Sequence, residues 1–218
     1  MARFFSKKDT PKQIPQEEIA NAVSHGIGLL AALVSTPFVI SYVSAKTGPL
    51  ILAGVSLFLL SAVILYLSST LYHSLREGRL KEIFQMIDHI AIFLLIAGSY
   101  TPFTLGVLNG TFGWIMFGLI WTCAIGGITL KIVTGITHER IYVAFYLFMG
   151  WLIVVAIKPL YESIDPMGLV WIVIGGAAYT LGVIFYAMPR RAYTHFVWHL
   201  FVLAGTSAHF VAVMLYSY

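Results

Sequence analysis

Apolar runs of roughly 20 residues recur along the chain, separated by short polar segments. They lie near 19–43, 50–73, from Ile83 through DHIAIFLLIAGSYTPF, and near 113–134, 141–157, 168–188 and 193–217. Each is continuous rather than alternating, so each predicts a helix that can cross a hydrocarbon core of about 30 Å, and not a strand of a membrane barrel. Gly98 and Pro102 predict a bend or an end to the third run. Residues 107–112 read as a tight turn, and KPLYESIDP reads as a loop after the fifth run. The expected fold is an all-α bundle of seven transmembrane helices over 19–218, preceded by a short polar tail at 1–18.

Composition agrees with this pattern. The 218 residues are 59% hydrophobic and 10% charged, against about 25% charged in a soluble domain. The formal charge of +4 is not a nucleic-acid signal, because the basic residues are scattered in the segments between runs. The single Cys123 excludes an intrachain disulfide and a thiolate zinc cluster. No apolar core with a small-residue cleavage site follows the tail closely enough for a signal peptide.

Lys and Arg set the expected orientation. Four in the tail, Arg76, Arg79, Lys81, Lys131, Arg140, Arg190 and Arg191 fall on one side, and only Lys46 and Lys158 on the other. By the positive-inside rule the N-terminus is cytoplasmic and the C-terminus outside.

That orientation gives an independent test of the polar residues. His195 and His199, in YTHFVWHLFVLAGTSAHF, are four apart and share a helix face. They lie about 6 and 12 Å past Arg191 at the helical rise. His73 ends the second span on the same side, with Ser69 one turn before it on its face. Asp88 lies one to two turns into the third span, again on that side. Three imidazoles at one depth suit a zinc ion with one open position, which activates water. Asp88 would take a proton from that water, and Ser69 would hydrogen-bond the water or a carbonyl. The competing reading bonds the histidines to backbone carbonyls or to neighbouring helices. Glu18, Asn21 and His25 share a face of the first helix and either cap it or close the polar site. His89 points away from Asp88, and His138 reads as a solvated loop residue. His209, about 15 Å beyond His199, reads as an interhelical partner or a second polar feature.

Four stretches carry a family resemblance: EEIANAVSHGIG, SSTLYHS, IDHIAIFLLIAGSYTPF and THFVWHLFVLAGTSAHF. They hold the patterns E-x2-N-x3-H, S-x3-H, a membrane aspartate and H-x3-H. With these the chain resembles bacterial hemolysin III proteins within the progestin and adipoQ receptor (PAQR) family, from Glu18 to about Phe210. The resemblance implies seven helices with a cytoplasmic N-terminus, and zinc on His73, His195 and His199. Asp88 and Ser69 would lie beside the metal through a water. It also implies a multi-pass protein of the bacterial inner membrane, tied to membrane homeostasis, with a membrane lipid as substrate or ligand. The expected activity is zinc-dependent hydrolysis of a lipid amide or ester, of the ceramidase type. The alternatives are a non-enzymatic sensor with structural zinc, or cytolysis. No nucleic acid partner is expected, and no protein partner is indicated.

Overall fold

The computed structural model describes residues 13–136, 138–188 and 191–218. Its elements are helical: α1 (Pro15–Lys46), α2 (Pro49–Ser74), α3 (Arg79–Leu105), α4 (Gly110–Thr134), α5 (Glu139–Trp151), a 3-10 segment (Leu152–Ala156), α6 (Ile157–Ser163), α7 (Pro166–Tyr186) and α8 (Thr194–Tyr216). α5, the 3-10 segment and α6 run on as one stretch, Glu139–Ser163. Among the described residues this makes seven spans long and apolar enough to cross a membrane.

Local chemistry sets the boundaries. Pro15, Pro49 and Pro166 open α1, α2 and α7, where a missing N–H costs nothing. The Asp165 side chain caps α7 by accepting from the Met167 N–H at 2.8 Å. Gly135, at φ 71, ends α4 in the left-handed conformation that glycine adopts most easily.

Several boundaries differ from the sequence reading: α3 starts at Arg79, four residues before Ile83, and α4 starts at Gly110, inside the expected 107–112 turn. α1 starts at Pro15, four residues before Ile19. α3 runs through Gly98 and Pro102 and stops only at Leu105. Pro102 removes one backbone bond near the helix end, and Gly106 N–H closes the last turn on the Pro102 carbonyl at 2.9 Å. Residues 158–163 are helical rather than loop. Pro159 falls in the first turn of α6, where its lack of an N–H is harmless.

The bundle is apolar outside and partly polar inside. On α1, Ile19, Ile27, Leu30 and Phe38 are 61–72% exposed, while Glu17, Asn21, Ser24, His25 and Gly28 face inward. That inversion fits a helix with lipid on its outer face. α2 packs most extensively on α3, α7 on α8 and α1 on α2, and α1 also meets α8. Close approach of α2 and α3 requires small residues: a Cβ on Gly98 would collide with Ser61, and one on Gly54 would press on the backbone of Pro102 at 3.2 Å. α5 touches α3, α4 and α7 only lightly.

Candidate metal centre

α2 ends one residue after His73, and α8 begins one residue before His195. Packing of α1 between these two helices brings the second and seventh spans together at that end. The turn into α8 is strained: Tyr193 is the one described non-glycine residue with positive φ (62°), and it lies against Glu17. His199 follows one turn after His195 on the same face.

The three imidazoles converge as the sequence spacing suggests. One nitrogen from each of His73, His195 and His199 lies within 4.8 Å of the other two. Ring centroids are 5.2 Å apart for His73–His195, 5.0 Å for His73–His199 and 4.7 Å for His195–His199. His73 and His199 are buried, and His195 is half-buried.

Hydrogen bonds fix which nitrogens face the centre. His73 Nδ1 lies 2.6 Å from Glu18 Oε2. A carboxylate only accepts, so Nδ1 carries the hydrogen and Nε2 is the nitrogen that would bind a metal. His199 Nδ1 lies 3.2 Å from the Asn21 carbonyl, with Ser24 Oγ also at 3.2 Å. Ser24 Oγ itself donates to that carbonyl at 2.8 Å. His199 therefore donates through Nδ1 and presents Nε2. His195 Nε2 is buried with no hydrogen-bond partner. An unsatisfied buried nitrogen of this kind costs about 1–3 kcal/mol, which a ligated metal would offset. Three neutral imidazoles, two with outer-layer partners and one orphaned nitrogen, form a donor set that fits a divalent metal ion.

The surroundings extend the set. His25 stacks on His199 at 3.7 Å with the planes 4° apart, and meets the edge of Tyr66 at 5.2 Å. Lys81 Nζ donates to Glu18 Oε1 at 3.0 Å, to the Tyr72 carbonyl at 3.0 Å and to the Leu75 carbonyl at 3.2 Å.

A cavity of about 440 Å³ opens from this end into the bundle. His25, Ser69, Asp88, His195 and His199 line its polar end; the rest of its wall is mainly apolar residues of α3, α5, α7 and α8. Ser69 Oγ is fully buried, with the Asp88 carboxyl as its polar neighbour. Ser69 and Asp88 thus share one chamber with two of the three histidines.

The remaining sequence assignments sort as follows. Glu18, Asn21 and His25 close the polar site: one bonds His73, one accepts from His199 through its carbonyl, one stacks on His199. His89, set aside from sequence, also lines the cavity, and its carbonyl accepts from Tyr146 at 2.9 Å. His138 is exposed at the start of α5. His209 Nε2 donates to the Ile172 carbonyl of α7 at 3.2 Å and lines the far part of the cavity, so it is both an interhelical partner and a second polar feature. Lys81 and Lys131, counted with the segments between spans, are instead only 5% and 1% exposed. Lys131 lies over the Tyr142 ring at 3.9 Å. Residues 1–12 of the expected polar tail lie outside the described residues.

Comparison with known proteins now bears on this arrangement. The profile of the family described as "Haemolysin-III related" matches residues 13–210. The chain belongs to that family. The haemolysin-III-related chain is 41% identical over 201 residues to the hemolysin-3 homolog of Bacillus subtilis (strain 168), covering 92% of this chain and 94% of that one. It is 41% identical over 204 residues to the hemolysin-3 of Bacillus cereus, covering 94% and 93%. Similarity extends to the monocyte to macrophage differentiation factor of Homo sapiens, 32% identical over 167 residues, covering 71% and 66%. Family and seven apolar helices together make it a multi-pass membrane protein.

Proposed function

We propose that this haemolysin-III-related protein is a zinc-dependent hydrolase of a lipid amide or ester. It would work from the cytoplasmic leaflet of the bacterial inner membrane and serve membrane homeostasis. The observation that carries the reading is the junction of a three-histidine donor set with Ser69 and Asp88 at the polar end of an apolar cavity. A volume of about 440 Å³ is in the range of small-molecule sites. The bias of Lys and Arg towards the segments at that end supports a cytoplasmic side for it.

His73, His195 and His199 would hold the zinc, which when bound would supply a Lewis acid and make a nearby water more acidic. Asp88 orients the attacking water and takes its proton, then returns it to the departing amine or alkoxide. The Ser69 hydroxyl, buried beside the Asp88 carboxyl, donates to the carbonyl oxygen as charge develops there. The apolar walls bury the chain of the substrate and keep bulk water out. Zinc is chosen over softer or harder ions because an all-imidazole, low-coordinate set suits it.

The test is lipid turnover by purified protein. Wild type should hydrolyse an amide or ester lipid, and Asp88→Ala should not. Unchanged turnover in Asp88→Ala would sink the mechanism.

A second reading is favoured by the placement of the ligands. They come from α2 and α8 alone, and their outer partners from α1. A metal there would tie three helices together in a non-enzymatic sensor. On that reading metal removal lowers stability and no lipid is consumed at any metal loading. Cytolysis, suggested by the names of the Bacillus relatives, would require conductance through liposomes containing the purified protein.

A further inference from the structure

The Glu18 carboxyl is engaged at both oxygens by two side chains remote in sequence, His73 and Lys81. Lys81 is the unusual member. It is 5% exposed, and its three ammonium hydrogens match three acceptors: Glu18 Oε1 and the carbonyls of Tyr72 and Leu75. Those carbonyls sit at the C-terminal end of α2, where backbone acceptors lack helical partners and the helix dipole is negative. The ring of Tyr72 covers the ammonium at 4.8 Å. A lysine is rarely buried this deeply unless paired. Here it is bound to the turn that carries His73 and to the carboxylate that grips His73.

We propose that Glu18 and Lys81 are positioning residues for the metal ligand His73. This rests on reading His73, His195 and His199 as a metal site. Glu18 holds the hydrogen of His73 on Nδ1 and fixes the ring plane, so that Nε2 is the nitrogen presented to the ion. Lys81 holds Glu18 in place: without it the carboxylate, 20% exposed, turns to water and releases the ring. Carboxylate–histidine pairs behind a metal commonly change its affinity by 10–100-fold. The three residues also join three helices, since Glu18 is on α1, His73 on α2 and Lys81 on α3.

The experiment is a competition titration of zinc against a chromophoric chelator, on purified full-length protein in detergent. Cobalt(II) absorption serves as a second readout of ligand geometry. Glu18→Ala should weaken zinc binding by about 10–100-fold and alter the cobalt spectrum. Glu18→Gln keeps an acceptor for Nδ1–H; it should restore the wild-type spectrum and part of the affinity. Lys81→Met keeps the aliphatic stem and removes the charge. It should weaken binding in the same direction, and the double variant Glu18→Ala/Lys81→Met should bind no more weakly than Glu18→Ala alone. Zinc affinity within twofold of wild type in Glu18→Ala, with an unchanged cobalt spectrum, would overturn the proposal. Losses that add in the double variant would remove Lys81 from it. Should Glu18→Ala not fold, Glu18→Gln and Lys81→Met decide alone, and wild-type affinity in both overturns it. A wild type that binds neither ion would overturn the metal reading of the three histidines, a different result from any of these.

Discussion

α2 meets α1 and α3 along broad faces and α1 also meets α8, and the three histidines and their hydrogen-bonding partners lie on α1, α2 and α8. The facing wall of the cavity is made differently. α5 is lightly packed, breaks into a 3-10 segment at Leu152, and contributes apolar residues such as Val143, Leu147 and Ile153. One wall holds polar groups in fixed directions, where a shift of an ångström would cost metal affinity. The other needs only to be apolar and can adjust to a flexible chain. A membrane protein must hold buried polar groups by close packing and hydrogen bonding, because no water is present to take over. The α5 side has its own fixed points, where the Tyr100 hydroxyl meets the Met149 and Gly150 carbonyls and the Ile153 N–H, but its cavity face is mainly apolar.

The comparison breaks most plainly on metal content. Wild type should carry about one metal ion per chain, and His73→Ala, His195→Ala and His199→Ala should each lose it, since three ligands are the minimum for such a site. Elemental analysis of purified protein checks this. Metal retained in all three variants would mean that the polar wall serves another purpose. Next in size is Asp88→Ala. Turnover should fall roughly 10²–10⁴-fold with metal content unchanged, as expected for loss of a general base. Loss of both metal and turnover would instead place Asp88 among the groups that hold the ion.

How much of this was legible in the sequence follows the range of the interactions. The spans were readable because each is a local run of apolar residues. The histidine trio was readable because His195 and His199 are one turn apart, and charge counting put His73 at the same depth. The pattern Glu18, Asn21, His25 showed a polar face on α1, but spacing along one helix does not say which neighbour that face meets. The Glu18–His73 contact joins residues 55 apart, and only the packing of α1 on α2 makes it. Lys81 was misread for a related reason. A lysine just inside a span looks like any interfacial cation until the carbonyls of Tyr72 and Leu75 are seen around it. The 3-10 break in the fifth span has no proline or glycine pair at Leu152–Ala156 to announce it.

The apolar part of the cavity predicts smaller effects. A Cβ at Gly176 on α7 would meet nothing within 4 Å, yet the residue lines the cavity. Gly176→Leu should therefore fill chain-binding space without strain. Binding of a long-chain lipid should weaken roughly tenfold, as for a pocket that gains unwanted methylenes. Metal content should not change. Equal lipid binding in this variant would show that the chain lies elsewhere.

The smallest effect is expected at His209, the polar residue that joins α8 to the apolar side. Its Nε2–H donates to the Ile172 carbonyl, and its ring packs over Gly175 and beside Tyr179 at 5.4 Å. It lies ten residues beyond His199, about 15 Å along the helix axis, out of reach of the metal set. Its hydrogen bond should therefore act on the α7–α8 contact and not on the chemistry. Interhelical bonds of this kind contribute about 0.6 kcal/mol on average and up to about 1.7. His209→Leu should lower the thermal midpoint by a few degrees, with metal content unchanged and turnover within about twofold of wild type. A large loss of turnover at full metal loading would mean that a reacting lipid reaches His209, and the division between a chemical wall and a permissive one would have to be redrawn along α8.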